Sequence, residues 1–239
     1  TTGEVNLSAA DIISSGSSRR ENIKARQLNI NDAGSVGSSS SYLTMDLPED
    51  GLLYVKANGN IYIHELAGNI NLYLASSKNG DVYLKADDSI LGCADTGADV
   101  SAGNVVLKAL NGEIGSSSDY FIIDTRSGGT LTAEANNDIY INEFTDDLRL
   151  NKVSSQNGIV YLQAPGSLLN GSPSDISINA NKVLLIAGKD IGMAGSLLRT
   201  AVNYIEGIAQ NGGFWINNNK NLYIGNVDNI TGINAKGRS

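Results

Sequence analysis

The chain holds one cysteine, three prolines, one histidine and one tryptophan in 239 residues. A lone Cys93 can form no intrachain disulfide, so no covalent staples hold this fold. With no second Cys or His beside it in the sequence, Cys93 reads as a small buried or loop hydrophobe. His and Cys at metal-ligand spacing do not occur. No apolar run reaches 18 residues, which excludes a membrane-spanning helix. Basic residues are scarce: 17 Lys and Arg face 25 Asp and Glu, for a net charge of −8. Only Arg19 and Arg20 stand side by side among them, so a nucleic-acid partner, whose phosphates need clustered cations, is excluded. Neither an initiator Met nor a signal peptide is present, and Thr1 reads as the start of a processed chain or a fragment.

Glycine, by contrast, is plentiful at 27 residues, and many glycines open the same phrase. Residues 79–92 read NGDVYLKADDSILG, residues 157–170 NGIVYLQAPGSLLN, and residues 3–16 GEVNLSAADIISSG. Gly80, Val82, Tyr83, Leu84 and Ala86 fall on Gly158, Val160, Tyr161, Leu162 and Ala164, an offset of 78 residues. The N-terminal version sits 77 residues earlier. A Gly-x-Val-x-Leu-x-Ala string is a half-buried strand entered by a turn. Residues 35–47, 113–125 and 190–202 also repeat, with Gly37, Gly115 and Gly192 in register and Tyr42 on Tyr120. So do residues 51–63, 129–141 and 212–224, with Phe214, Ile216, Leu222 and Ile224 expected inward in the third copy.

Within one unit, strands begin near residues 80, 104, 120, 129, 138, 147 and 158. Short strands at such spacing fit either a sandwich or a β-solenoid. Three features select the solenoid. A sandwich has no reason to restate its strands in order; the Asn-Gly, Gly-Asn and Asn-Asn turns tolerate left-handed corners; and no amphipathic helix separates the strands. Residues 196–209 form the best helical candidate, yet they fall where the other copies have strands and read as strand and loop. The sequence therefore predicts an all-β, right-handed parallel β-helix over residues 1–239, with Val82, Leu84, Val160 and Leu162 inward. Two or three strands make one coil, and coils stack ~4.8 Å apart. Ala9, Ala57, Ala86, Ala109, Ala135 and Ala164 end strands where a corner leaves little room.

The strings GEVNLSAADI (3–12), GDVYLKADDSI (80–90), GNVVLKALNGEI (103–114), NNDIYINEF (136–144) and NKVLLIAGKDI (181–191) resemble the haemagglutinin-type repeats of large bacterial exoproteins such as filamentous haemagglutinin. That resemblance implies a secreted, surface-attached rod acting in adhesion or as a stalk, exported by a dedicated outer-membrane partner. The long period near 78 departs from the family's uniform single-coil repeat, and its N-terminal secretion domain is not recognisable. No functional residue is carried across, because the repeats of this family are scaffold.

β-Helices also carry polysaccharide lyases and glycosidases, which need converging carboxylates, or carboxylates with cations or calcium. The candidate acids here are Asp87-Asp88, Asp146-Asp147, Asp46 and Asp124. Asp87 and Asp88 become Pro165 and Gly166 in the next copy, while Asp46 and Asp124 recur as a stacked position and give way to Ala201 in the third. Adjacent Asp residues on a turn read as solvated corners. His64 corresponds to Asn142 and Gly225 and reads as a strand-end polar residue. Tyr62, Tyr140 and Tyr223 stand between inward aliphatics, and Tyr83 and Tyr161 repeat that placement. They read either as an exposed ring ladder able to meet sugars or another protein, or as strand residues packing across coils.

The resulting expectation is a non-enzymatic structural or adhesive rod, extracellular or on a bacterial surface, without cofactor or metal. Its partners would be a host or surface glycan or protein, or further copies of itself. The alternative is a carbohydrate-active β-helix enzyme. Neither end of the chain carries a recognisable cap, so the rod is expected to continue in a longer polypeptide or to stack end to end. The opposing expectation is that residues 14–21 or 225–239 fold over the ends.

Overall fold

The computed structural model describes residues 3–14, 20–93, 97–172, 175–228 and 232–237. Most of the loop at residues 14–21, and Ile230 in the tail, lie outside them. The described residues contain no helix, and every pairing between named strands is parallel. A sandwich of antiparallel strands is thereby excluded. The chain winds through about ten coils, each contributing a strand to each of two sheets; the short strands Ile90–Gly92 and Leu168–Asn170 lie off these paths, paired with Ile70–Ser77 and Leu148–Ser155.

The first sheet runs, in order, through Glu4–Leu7, Gln27–Ala33, Leu52–Ala57, Ile70–Ser77, Val100–Ala102, Phe121–Thr125, Ile139–Glu143, Ile159–Ala164, Lys182–Ala187, Tyr204–Ala209 and Tyr223–Ile224. The second runs through Ile23–Lys24, Leu43–Asp46, Ile61–Glu65, Val82–Ala86, Val105–Ala109, Leu131–Ala135, Leu148–Ser155, Ile178–Asn179, Leu198–Ala201 and Ile216–Asn218. Their inward residues meet in one cluster in which Val82, Leu84, Val160 and Leu162 are at most 1% exposed. Register follows side-chain type: Ile61, Val82, Val105 and Leu131 stack in one column, and Ala86, Ala109 and Ala135 in another. Residues 196–209 supply two strands, Leu198–Ala201 and Tyr204–Ala209.

One coil takes two strands, and this decides where the repeat goes. Along the ordered strands, with Ile90–Gly92 off the path, seven steps lead from Ile61–Glu65 to its copy Ile139–Glu143, an odd number. Each copy therefore lands on the opposite sheet. Leu52–Ala57 lies in the first sheet and its copy Leu131–Ala135 in the second, whereas Val82–Ala86 lies in the second and its copy Ile159–Ala164 in the first. The 78-residue offset is three and a half coils, a half-turn about the rod with a rise of about 17 Å. A simple translation would keep every copy on one face.

The corners obey the same operation. Gly37, Gly115 and Gly192 have φ of +63°, +65° and +70°, and a Cβ on them would stand 2.0–2.5 Å from the carbonyl oxygens of Tyr62, Tyr140 and Trp215. Only glycine fits such a backbone and such an approach. After each comes a tight turn, closed between Ser38 and Ser41, Ser116 and Asp119, and Met193 and Ser196. Another corner uses Ser77, whose hydroxyl donates to the Gly59 carbonyl at 2.8 Å and accepts from the Gly80 amide; Ser155 does the same with Asn137 and Gly158. Stacked Asn58–Asn79 and Asn136–Asn157 amides hold the outer edges.

The extreme coils depart from the expected burial. Ala9 is exposed, unlike the other strand-end alanines. Leu222 and Ile224, expected inward, are 38% and 63% exposed. Tyr223–Ile224 is two residues long, and no described strand pairs with its far edge. The tail instead divides: residues 225–228 run back over the outside of the first sheet, and Ile233–Ala235 pairs with Tyr204–Ala209.

Candidate functional site

The outward tyrosines follow from alternation. In Ile61-Tyr62-Ile63 both isoleucines are fully buried, so the ring between them must point away from the core. Parallel register then places like on like. Tyr62 and Tyr83 pair in the second sheet and stack at 4.2 Å with an 8° tilt. Tyr140 and Tyr161 pair in the first sheet and stack at 4.5 Å and 12°. Tyr42 and Tyr120, carried in just after the glycine corners, meet Tyr62 and Tyr140 edge-on at 5.4 and 5.7 Å. Tyr223 stacks on Tyr204 at 5.3 Å. The five rings singled out in the sequence thus fall into three groups on two faces, because the half-turn sends Tyr62 and Tyr140 to opposite sides.

Their environments differ. Tyr140 and Tyr161 are 8% and 9% exposed, packed with Leu184 and Val227. Val227 belongs to the returning tail segment, which Lys182 fastens by donating to the Asn226 carbonyl at 2.8 Å. Glu206 fastens it again by accepting the Asp228 amide at 3.0 Å. Asn226 turns the chain with φ of +63°. Around the covered group stand Ile159, Leu184 and Ile186; the matching residues around Tyr83 are Asp81, Val106 and Lys108. The first sheet is thus apolar where the tail lies on it, and the second remains half-open. Burial raises the Tyr83 and Tyr140 hydroxyl pKa values well above the ordinary phenol range, and Asp81 and Asp138 reinforce the shift. Rings stacked on one another turn edges and hydroxyls outward and leave few faces free for a sugar.

The candidate carboxylates gather in two places: Asp124, Asp146 and Asp147 line one small pocket with Arg126 and Arg149, and Asp46 and Asp88 line another with Glu49. Asp46 pairs with Lys24 and Asp146 lies 3.9 Å from Lys189. Asp147 accepts the Ser167 amide, and Asp124 accepts the Thr145 hydroxyl. Asp88 lies at a corner, where its amide donates to the Gly68 carbonyl. His64 meets Asp87 at 3.1 Å, a contact invisible in the sequence because the two are one coil apart. Burial lowers the His64 pKa, and the bond to Asp87 partly offsets this. The neighbouring Thr44 hydroxyl is held by the Arg20 carbonyl and Asn22. Among the described residues no group of three or more His, Cys, Asp or Glu side chains is placed to hold a metal ion. Cys93 is half-buried, and burial pushes its thiol pKa up.

Sequence reasoning passed over Glu65 and Glu143. They close the Ile-x-Ile strands as the next inward residues and are 0% and 1% exposed. Glu65 accepts the Leu47 and Ala67 amides at 3.0 and 3.2 Å. Glu143 accepts the Thr125 amide and, at 2.9 Å, its hydroxyl. Burial lifts both to about 7, against the pull of those donors. Their recurrence at the 78-residue offset was the available signal. Sealed inside opposite corners, they cap loop amides and face no solvent.

The fold and these surfaces define a parallel β-solenoid repeat protein. Comparisons with protein-family models, curated proteins and solved structures return no match.

Proposed function

We propose that this chain is a non-enzymatic structural or adhesive rod of the extracellular space or cell surface, able to continue end to end into longer assemblies. One observation carries the reading. Most of what recurs under the half-turn serves the stacking of coils: the aliphatic columns, the glycine corners, the Ser77 and Ser155 locks and the buried Glu65 and Glu143. What recurs is a shaft. The outward carboxylates that do share a pocket, Asp124, Asp146 and Asp147, are each engaged by the scaffold, through Thr145, Lys189 and Ser167, which favours the shaft over a glycosidase or lyase needing free converging acids. The parallel strands at both extremes also offer backbone groups of the kind that template a further coil.

The test combines shape and turnover. Electron microscopy and sedimentation over a concentration range should show rods that lengthen with concentration. A screen of acidic and neutral polysaccharides should show no cleavage. Cleavage abolished by Asp87→Asn or Asp88→Asn would overturn the reading in favour of a carbohydrate-active enzyme.

A further inference from the structure

A trough of ≈ 610 Å³ runs along the outer face of the first sheet, over five consecutive coils. Its floor carries short polar side chains, because Ser76 and Ser101 occupy paired outward positions in the row that Lys56 begins. Lys56 and Lys78 stand on the second and third of these coils and Arg126 on the fifth, a span of about 14 Å at the normal strand spacing. The Arg126 guanidinium is fixed by donating to the Ser77 and Gly80 carbonyls at 2.7 and 2.6 Å. None of the three cations takes part in the ion pairs found among the described residues. Asp32 is the one acid in the lining; Asp124, next in the row beyond Ser101, lies 3.5 Å from its hydroxyl.

The half-turn supplies an internal control. The copy of this trough lies on the second sheet, where Ser154, Ser155, Gln156, Asn179, Asn203 and Lys220 are among its lining residues. Ser154 and Ser155 reproduce Ser76 and Ser77, and Asn179 pairs with Ser154 as Ser101 pairs with Ser76. None of the three cations is reproduced at its own position, although the copy has a cation of its own in Lys220. Glu134 stands for Lys56, Gln156 for Lys78 and Asn203 for Arg126. The shaft therefore folds equally well without them, and three cations on one face of a chain of net charge −8 need another reason.

We infer that the Lys56–Lys78–Arg126 trough binds an extended polyuronate, a polysaccharide bearing carboxylates on successive sugars. The inference rests on the adhesive reading and gives it a ligand class. Hydroxyls and amides on the floor both donate and accept, which suits a polyhydroxylated chain. The backbone beneath is committed to ladder bonds, so an acidic peptide would find no free strand edge to extend. The two heads outside any ion pair, that of Lys56 lying 5.4 Å from the Tyr54 ring centroid, are ammonium groups, compact and strongly hydrated, which suit carboxylates, while the guanidinium fork that suits flat oxyanions is occupied by carbonyls. The acidic surface elsewhere is screened beyond about 8–10 Å at ordinary salt.

The test is affinity for polygalacturonate, measured by titration calorimetry on the full chain, with neutral dextran and dextran sulfate in parallel. Polygalacturonate should bind most tightly and weaken with salt. Lys56→Gln with Lys78→Gln should weaken it about five- to tenfold, as two exposed ion pairs warrant. Lys85→Gln with Lys220→Gln, the same change of charge elsewhere, should leave it unaltered. Ser101→Tyr, which fills the floor without changing charge, should also abolish binding and guards against misfolding of the double variant. Absence of binding, equal loss in the control pair, or preference for dextran sulfate or dextran would overturn the inference. Loss of binding with rods still visible would leave the shaft reading standing, and release of new sugar ends would identify an enzyme.

Discussion

Replacing Gly115 by alanine isolates the physics of the corner that makes this rod turn. At φ of +65° an alanine pays about 1–2 kcal/mol for left-handed backbone. Its Cβ would also lie 2.4 Å from the Tyr140 carbonyl oxygen and 2.7 Å from the Phe121 amide nitrogen. Both are backbone atoms held in the neighbouring coil or the same corner, so relief requires moving a strand, at a further cost of about 1–3 kcal/mol. The expected loss is therefore about 3 kcal/mol. Gly128 supplies the comparison: its φ is +85°, yet nothing lies within 4 Å of a Cβ there, so Gly128→Ala should lose only the strain, about 1 kcal/mol. Urea denaturation followed by circular dichroism reads both, and native-state amide exchange shows whether the loss centres on the coil of Gly115, as nearest-neighbour coupling in a solenoid requires. Equal losses for the two variants, or a loss below about 1 kcal/mol at Gly115, would refute the close-approach argument.

Other expectations follow from the buried acids and the tail. Glu65 and Glu143 titrate near 7 when folded and near their ordinary 4.5 when unfolded. The folded state thus binds more protons between those values, so stability is highest below 4.5 and falls as pH rises to 7, by roughly 3 kcal/mol for each group. Denaturation at pH 4 and pH 8 should show that decline, and Glu143→Gln should flatten it. Glu143→Gln should also cost less than Glu65→Gln at pH 8: the Thr125 hydroxyl can turn and accept from the new amide, whereas Glu65 faces two backbone N–H donors. Val227→Asp should lift the tail and expose Tyr140 and Tyr161 to iodide quenching, leaving Tyr62 and Tyr83 unchanged. Asp87→Asn should lower the His64 pKa further, read by NMR titration, because the carboxylate raises it.

The strands, their inward faces and the period were legible in the sequence because stacking demands the same residue type at the same height in successive coils. The column Ile61, Val82, Val105 and Leu131 is that demand written along the chain. The half-turn was not legible while the number of strands in a coil stayed open between two and three; two, with seven strands per unit, forces it. The covering of Tyr140 and Tyr161 escaped because Val227 reaches them from outside the repeat, and a segment without a copy has no register to read. The cationic trough was hidden for the opposite reason. Its framework repeats, but its charges depart from their own copies, and that departure acquires meaning only once Lys56 and Glu134 are seen to occupy matching places.

The half-turn repeat is tested most directly by a distance. Lys85 and Gln163 are copies of one another, 78 residues apart, and point outward from the second and the first sheet. With Cys93 replaced by serine, spin labels on cysteines at these two positions can be measured by pulsed electron paramagnetic resonance. A half-turn places them on opposite faces, with a rise of about 17 Å, two sheets about 10 Å apart and two outward side chains between them, beyond about 28 Å in all. A separation near 17 Å would put both copies on one face and contradict the account.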